Sequence, residues 1–335
     1  MILVTGGTGL VGAHLLWHLI QKNKTVKAIH RKESDLKRVE KVFGYYTENA
    51  AELFQKINWI EADLNDIPSL ETAFENVDYV YHAAAYISFD PSDYKKLLHT
   101  NTNGTANIVN LCISHTIKKL AYVSTIGTIG KSLKGKEATE ENEWNTQGVN
   151  VYARSKYDAE MEVWRGSQEG LPIVMVNPGV IIGPGFWNSG TGTLFTTANK
   201  GYNYYLPGGT GFVAVNDVVQ MLVQLMDSTI ENERFIAVSE SLTFQEILTL
   251  IAPELGKKIP QKELKLWQLE LGRIAEIIKT TFTKKQRSIT KNTISSLKHR
   301  EIYNHQKIKR ALDFTFEPIE NSIKLTCEKF IKENP

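Results

Sequence analysis

The sequence predicts an α/β fold: a doubly wound parallel sheet with a smaller, mostly helical C-terminal substrate domain. Three observations predict it. Short apolar runs alternate with helical patterns over the first half of the chain. Those runs are continuous rather than alternating, as strands buried on both faces require. A glycine-rich turn joins the first run to the first helical stretch.

Ile2, Leu3 and Val4 form the first expected strand, and Leu10 to Ile20 the first helix, with apolar residues at helical spacing. Val26 to His30 is the second strand, Ile57 to Glu61 the third and Val77 to His82 the fourth. Leu120 to Ser124 is the fifth and Ile173 to Asn177 the sixth. The charged stretch Lys32 to Lys56 has no strand signal and reads as surface helices. Glycines and aromatic residues crowd Gly183 to Gly211, the pattern of loops with short strands. A helix is expected near Asn216 and Asp217 with Asn216 as its cap, and another through Ile251 capped by Thr243. The expected division is a dinucleotide-binding domain at 1–178, rejoined by 212–240, and a smaller substrate-binding domain from 179–211 and 241–335.

The chain has 335 residues, 42% of them hydrophobic, enough to bury a core without disulfides or metals. A formal net charge of +2 makes no broad electrostatic case for nucleic acid or an acidic membrane. Cys112 and Cys327 stand in apolar helical contexts outside any metal-ligand spacing and read as reduced, buried thiols. No apolar stretch is long enough to span a bilayer, and the first strand starts at Ile2. The expectation is a cytoplasmic protein with a small-molecule substrate and no metal, nucleic-acid or membrane partner. The basic stretch Lys279 to Lys291 reads as a solvated helix face, and His14, Trp17 and His18 as packing or surface residues.

The turn Thr5-Gly6-Gly7-Thr8-Gly9-Leu10-Val11-Gly12 carries the first functional reading. A loop that brings backbone amides against phosphates cannot carry side chains at its closest points. Gly6 makes the turn, Gly9 admits a pyrophosphate and Gly12 lets helix pack on strand, as in a Rossmann dinucleotide site. The first amides of the helix, Leu10 and Val11 among them, are unsatisfied and attract an anion. An NAD site places an acid at the end of the second strand for the ribose 2′-hydroxyl. Here that place holds His30-Arg31-Lys32, and a guanidinium at Arg31 suits a 2′-phosphate. The cofactor reading favours NADP(H), with NAD(H) the alternative.

Tyr152-Ala153-Arg154-Ser155-Lys156 carries the second. Residues four apart share a helix face. An ammonium beside a phenol stabilises the phenolate and lowers a pKa ordinarily near about 10. Such a tyrosine serves as acid or base near neutral pH. Upstream, Ala121-Tyr122-Val123-Ser124-Thr125-Ile126-Gly127-Thr128-Ile129-Gly130 is a strand ending in hydroxyl residues. Before it come Thr100-Asn101-Thr102-Asn103-Gly104-Thr105 and Val80-Tyr81-His82-Ala83-Ala84-Ala85.

With the N-terminal glycines, this order of motifs resembles the extended short-chain dehydrogenase/reductase family across essentially the whole chain. The resemblance implies a catalytic group. Tyr152 exchanges the proton, Lys156 tunes it and holds the nicotinamide ribose, and Thr125 hydrogen-bonds the substrate oxygen. Asn101 helps to organise a relay water. Thr125 is preferred to Ser124 because it lies five residues before Gly130, where the family usually has its Ser or Thr. The resemblance places Asp63 and Leu64 near the adenine. Ala83, Ala84 and Pro178 fall beside the cofactor, with His82 structural. Ser124, Tyr86 and Phe186 line the substrate pocket, with Ile87, Phe89 and Trp187.

Two enzyme readings share these parts. One is an NADP(H)-dependent oxidoreductase of a ketone or aldehyde, like the dihydroflavonol-reductase and hydroxysteroid-dehydrogenase branch. The other is a sugar-nucleotide epimerase or dehydratase with retained NAD. Asn177 stands where many sugar-nucleotide enzymes have Arg, and the apolar lining suits a carbonyl better than a sugar diphosphate. A non-catalytic dinucleotide sensor is the third reading, though such members typically lose the Tyr or Lys kept here. The family often dimerises through two helices, one carrying Tyr and Lys, so a homodimer is compatible.

Overall fold

The computed structural model describes residues 1–132, 136–283 and 290–334. The first half alternates β1 (Ile2–Thr5), α1 (Leu10–Gln21), β2 (Val26–His30), α2 (Leu36–Phe43), α3 (Ala50–Phe54) and β3 (Asn58–Glu61). It continues with α4 (Ile67–Phe74), β4 (Tyr79–His82), α5 (Tyr94–Leu97), α6 (Gly104–Ser114), β5 (Lys119–Val123), α7 (Val151–Gln168) and β6 (Ile173–Pro178). Then come β7 (Val180–Ile182), α8 (Gly192–Asn199), β8 (Tyr204–Tyr205), β9 (Gly209–Ala214), α9 (Val215–Asp227), β10 (Glu233–Ala237) and β11 (Glu240–Thr243). The remainder is α10 (Phe244–Glu254), β12 (Lys262–Glu263), α11 (Leu266–Thr283), α12 (Lys291–Ser296), α13 (Gln306–Leu312) and α14 (Ile319–Glu333).

Seven parallel strands form the main sheet in the order β10-β6-β5-β4-β1-β2-β3. The predicted doubly wound sheet is therefore present, with β10 as an edge strand that no apolar run announced. Side chains alternate across it. Val4, Ala28, Tyr81, Ala121 and Val174 face a core shared with α1, α2 and α9. Leu3, Ile29, Val80, Leu120, Tyr122 and Met175 face a second core under α4, α6 and α7. A smaller antiparallel–parallel sheet, β11-β9-β7, packs with α8, α10 and α14 around Phe195, Phe212, Ile251 and Phe330.

Two local expectations change. Ala214, not Asn216, occupies the N-cap position of α9, because β9 runs straight into the helix in extended conformation. Asn216 instead accepts a hydrogen bond from the Tyr46 hydroxyl at 3.2 Å. The Lys32–Lys56 stretch does form helices, but α2 buries Val39, Val42 and Phe43 against the core. Thr243 caps α10 as expected, in a reciprocal box with Glu246. His14 and Trp17 are buried: the His14 ring meets Tyr46 and the Pro184 carbonyl, and Trp17 stacks on Tyr46. The stretch Lys279 to Lys291 lies largely outside the described residues. Cys112 and Cys327 are both buried and unpaired.

Candidate active site

The strand order reverses between β1 and β4, and in such sheets ligands bind at the carboxyl ends of the strands beside that point. Gly6 sits there with φ +71°, and a Cβ on it would lie 2.5 Å from the Ala84 nitrogen. Ala83 and Ala84 thus press directly on the turn, with the Ala83 amide bonded to the Thr5 carbonyl. A Cβ at Gly12 would come 2.1 Å from the Gly6 oxygen, so only glycine lets α1 approach β1 this closely. At Gly9 the nearest atom would be 3.4 Å away, leaving that side open. No side chain caps α1 and no acid stands in its first turn. Open amides, no competing acceptor and a turn with room for an anion fit a dinucleotide pyrophosphate.

Arg31, just past β2, is exposed, and among the described residues none pairs with its guanidinium. Its backbone is fixed by Ser34. Asp63 follows β3 and accepts from the Asn65 amide, while the Leu64 carbonyl accepts from Asn107. Pro178 ends β6 and is buried.

Tyr152 and Lys156 stand in the first turns of α7, which Asn150 caps through the Ala153 amide. Lys156 is almost fully buried and donates to the Tyr122 hydroxyl at 2.6 Å and the Val123 carbonyl at 2.8 Å. Burial pulls its pKa down to about 7, against an upward pull from Glu160. Burial pushes Tyr152 up to about 12. The expected arrangement, lysine lowering the tyrosine, is therefore not the one present: the ammonium is held by Tyr122 and the main chain.

Tyr122 belongs to a row. Strand register sets Thr5 beside His82 and His82 beside Tyr122, on the face under α6 and α7. The His82 ring bridges Thr5 Oγ1 at 2.6 Å and Thr105 Oγ1 at 2.9 Å, and stacks on Tyr122. Burial, then the charge of Lys156, lowers His82 to about 3, so the ring is neutral. A buried polar chain thus runs from the glycine turn to Lys156.

The hydroxyls after β5 divide. Ser124 Oγ is buried and donates to Glu160 at 2.8 Å. Glu160 also pairs with Arg234 at 3.3 Å and accepts from Asn177 at 3.4 Å. Thr125 is partly exposed, and its Oγ1 accepts from the Gly127 amide at 3.2 Å, with no acceptor for its own proton among the described residues. Asn101 lies in a π-helical turn, 98–103, a distortion common at functional sites. Its amide is fully engaged, accepting from the Tyr86 amide and donating to the Tyr86 carbonyl and Ser155.

The predicted lining separates too. Tyr86 is tethered by Asn101, and its hydroxyl donates to Asp93. Ile87 and Phe89 are exposed, at 53% and 44%, and the Phe89 ring meets Tyr152 edge-on at 5.7 Å. Phe186 is instead buried in the core near α1 and α2 with Arg38 over its ring. Trp187 packs on Phe195 and Phe330, donating to Glu333. Among the described residues no cluster could hold a metal, and no helix is long and apolar enough to cross a membrane.

Sequence reasoning did not single out Tyr122, Thr105, Glu160 or Arg234. For Glu160 the signal was present: Tyr152, Lys156 and Glu160 repeat every four residues on α7.

This fold, with a dinucleotide turn at its switch point, defines a Rossmann-type enzyme of nicotinamide chemistry. The chain belongs to the NAD dependent epimerase/dehydratase family, whose model matches residues 2–237. It is similar to sterol demethylase protein B of Methylococcus capsulatus, with 30% identity over 77% of this chain and 76% of that one. A putative dihydroflavonol 4-reductase of Synechocystis is 29% identical over 79% and 75% of the two chains. Among solved structures, gox2253 superposes with a TM-score of 0.83 at 24% identity, covering 99% and 98%.

Proposed function

We propose that this chain is an NADP(H)-dependent oxidoreductase that reduces a ketone or aldehyde of a small, partly apolar substrate, or oxidises the alcohol. The observation that carries the reading is the Phe89 ring set edge-on against Tyr152 at 5.7 Å, an apolar wall on the residue proposed to exchange the proton. Ile87 is exposed two residues before Phe89, and the Thr125 hydroxyl proton has no acceptor among the described residues. Residues Gly6 to Gly12, Arg31, Asp63, Leu64, Ala83, Ala84 and Pro178 hold the dinucleotide, which supplies or accepts the hydride when bound.

Thr125 donates to the substrate oxygen and fixes it. Tyr152, protonated at neutral pH because burial raises it, gives its proton to the oxygen as negative charge develops there. Lys156 presents its charge from below, held by Tyr122 and Val123. Asn101 acts at one remove, by holding the Tyr86 backbone and hence the wall.

Arg31 supports NADP(H), since a guanidinium without an ion pair is available to a 2′-phosphate. Asn177 supports the reductase over the sugar-nucleotide epimerase: it is buried and donates to Thr128, where sugar-nucleotide enzymes often carry Arg. A relative named as a putative dihydroflavonol 4-reductase supports the reductase reading.

The test is titration of NADPH and NADH, then turnover on a panel of ketones and aldehydes. NADPH should bind more tightly, and Tyr152→Phe should abolish turnover while keeping dinucleotide affinity. Equal or tighter NADH binding refutes the role of Arg31, and unchanged turnover refutes that of Tyr152. Interconversion of sugar nucleotides with no net change in dinucleotide would select the epimerase.

A further inference from the structure

The formal charge of +2 hides a segregation. Positions 257–291 hold ten Lys and Arg against three Glu. The same stretch contains α11. One side of α11 packs through Leu266 and Leu269 with Phe244, Ile294 and Leu297. Trp267, Leu271 and Ile274 face solvent at 59%, 58% and 48% exposure. Spacings of four and three residues align them in one stripe along the helix. Single exposed apolar residues need no explanation, but an aligned set with a tryptophan does. Lys258 precedes β12, Lys262 stands in it over the Tyr204 ring and Lys265 directly precedes α11, and all three are exposed.

We propose that α11 docks this protein on an anionic lipid bilayer. The Trp267, Leu271 and Ile274 stripe enters the boundary between headgroups and acyl chains, and Lys258, Lys262 and Lys265 meet the lipid phosphates. An amphipathic helix flanked in sequence by Lys and Arg has the composition of one that lies in the membrane plane. Tryptophan suits this depth, with an apolar ring and a polar N–H. Lysine stems cover apolar surface while their ammonium groups reach the phosphates. Charge also argues against a second copy as the occupant. A two-fold interface would set this basic face against itself, whereas an anionic surface attracts it. Among the described residues no helix is long and apolar enough to cross a membrane, so the mode is adsorption.

The experiment is sedimentation of the full chain with phosphatidylcholine vesicles, with and without phosphatidylglycerol, at low and high salt. The protein should pellet with the anionic vesicles and be released as salt rises. Trp267→Ala combined with Leu271→Ala should weaken partitioning on the order of tenfold. Lys262→Gln and Lys265→Gln should each weaken it about five-fold. None of these exposed changes should alter thermal melting or dinucleotide binding, which separates this test from that of the catalytic reading. Protein left in the supernatant with anionic vesicles at low salt overturns the proposal. So does partitioning that the stripe variant leaves unchanged, or a concentration-dependent dimer that the stripe variant abolishes.

Discussion

Replacing Tyr122 by Phe removes one of the two oxygens that hold the Lys156 ammonium, together with the hydroxyl's hydrogen bond to Thr105. The phenol ring stays in its core position under α7, and Thr105 keeps its bond to His82. A hydrogen bond to a buried charged group is worth about 1.5–3 kcal/mol. One pKa unit corresponds to about 1.4 kcal/mol. Losing a bond that only the charged lysine needs should lower the Lys156 pKa by about one to two units, from its present value of about 7. The direct assay is an NMR titration of 13C-labelled lysine, with the Lys156 signal assigned by its loss in Lys156→Met. If turnover needs the ammonium, the alkaline limb of the pH–rate profile should move to lower pH by the same amount. A merely structural tyrosine would lower the melting temperature and leave both titrations in place. An unmoved Lys156 titration in a folded Tyr122→Phe variant refutes the argument, as does a wild-type value near the ordinary 10.5.

Other outcomes follow from the same geometry. Gly12→Ala must push its Cβ against the Gly6 oxygen, 2.1 Å away, and should cost about 1–3 kcal/mol with loss of dinucleotide binding, measured by denaturant melts and titration. Asp217, buried in the first turn of α9, is raised to about 7 by burial, although the Glu317 amide bonds to it. A carboxyl raised in the folded state binds more protons there than when unfolded. Its stabilising contribution is thus complete below about 4 and is lost as pH rises through about 7. Asp217→Asn should flatten the fall in stability between those values, seen in urea melts at a series of pH values.

The inner parallel strands were legible because they are buried on both faces and read as short apolar runs, whereas β3 at one edge is only partly buried. The strand that was not legible is β10, Glu233–Ala237, whose first two residues are charged: Arg234 leaves the sheet edge to reach Glu160 and the Glu140 carbonyl. Polar function broke the pattern that would have announced the strand. Asn216 misled for a related reason. Capping propensity assumes a loop before the helix, whereas β9 enters α9 without one, and the Asn216 side chain serves Tyr46. Phe186 and Trp187 carried an aromatic signal that a pocket and a core share; Phe186 is buried in the core beside α1 and α2, and Trp187 in the core with Phe195 and Phe330.

The site was legible where chemistry is local and illegible where it depends on register. Glycines in a turn and a Tyr and Lys one helical turn apart are close in sequence, so spacing alone brings them together. Thr5, His82 and Tyr122 lie on three strands, and only the pairing of β1, β4 and β5 sets them in one row. A one-residue slip of β5 would turn Tyr122 to the opposite face and put Ala121 or Val123 beneath α7. Lys156 would then be buried without its hydroxyl partner, a costly state for an ammonium. The register of the sheet and the charge state of the lysine are thus mutually dependent. A reading that treats β5 only as scaffold, as the apolar run suggests, leaves out the residue that holds Lys156 in place.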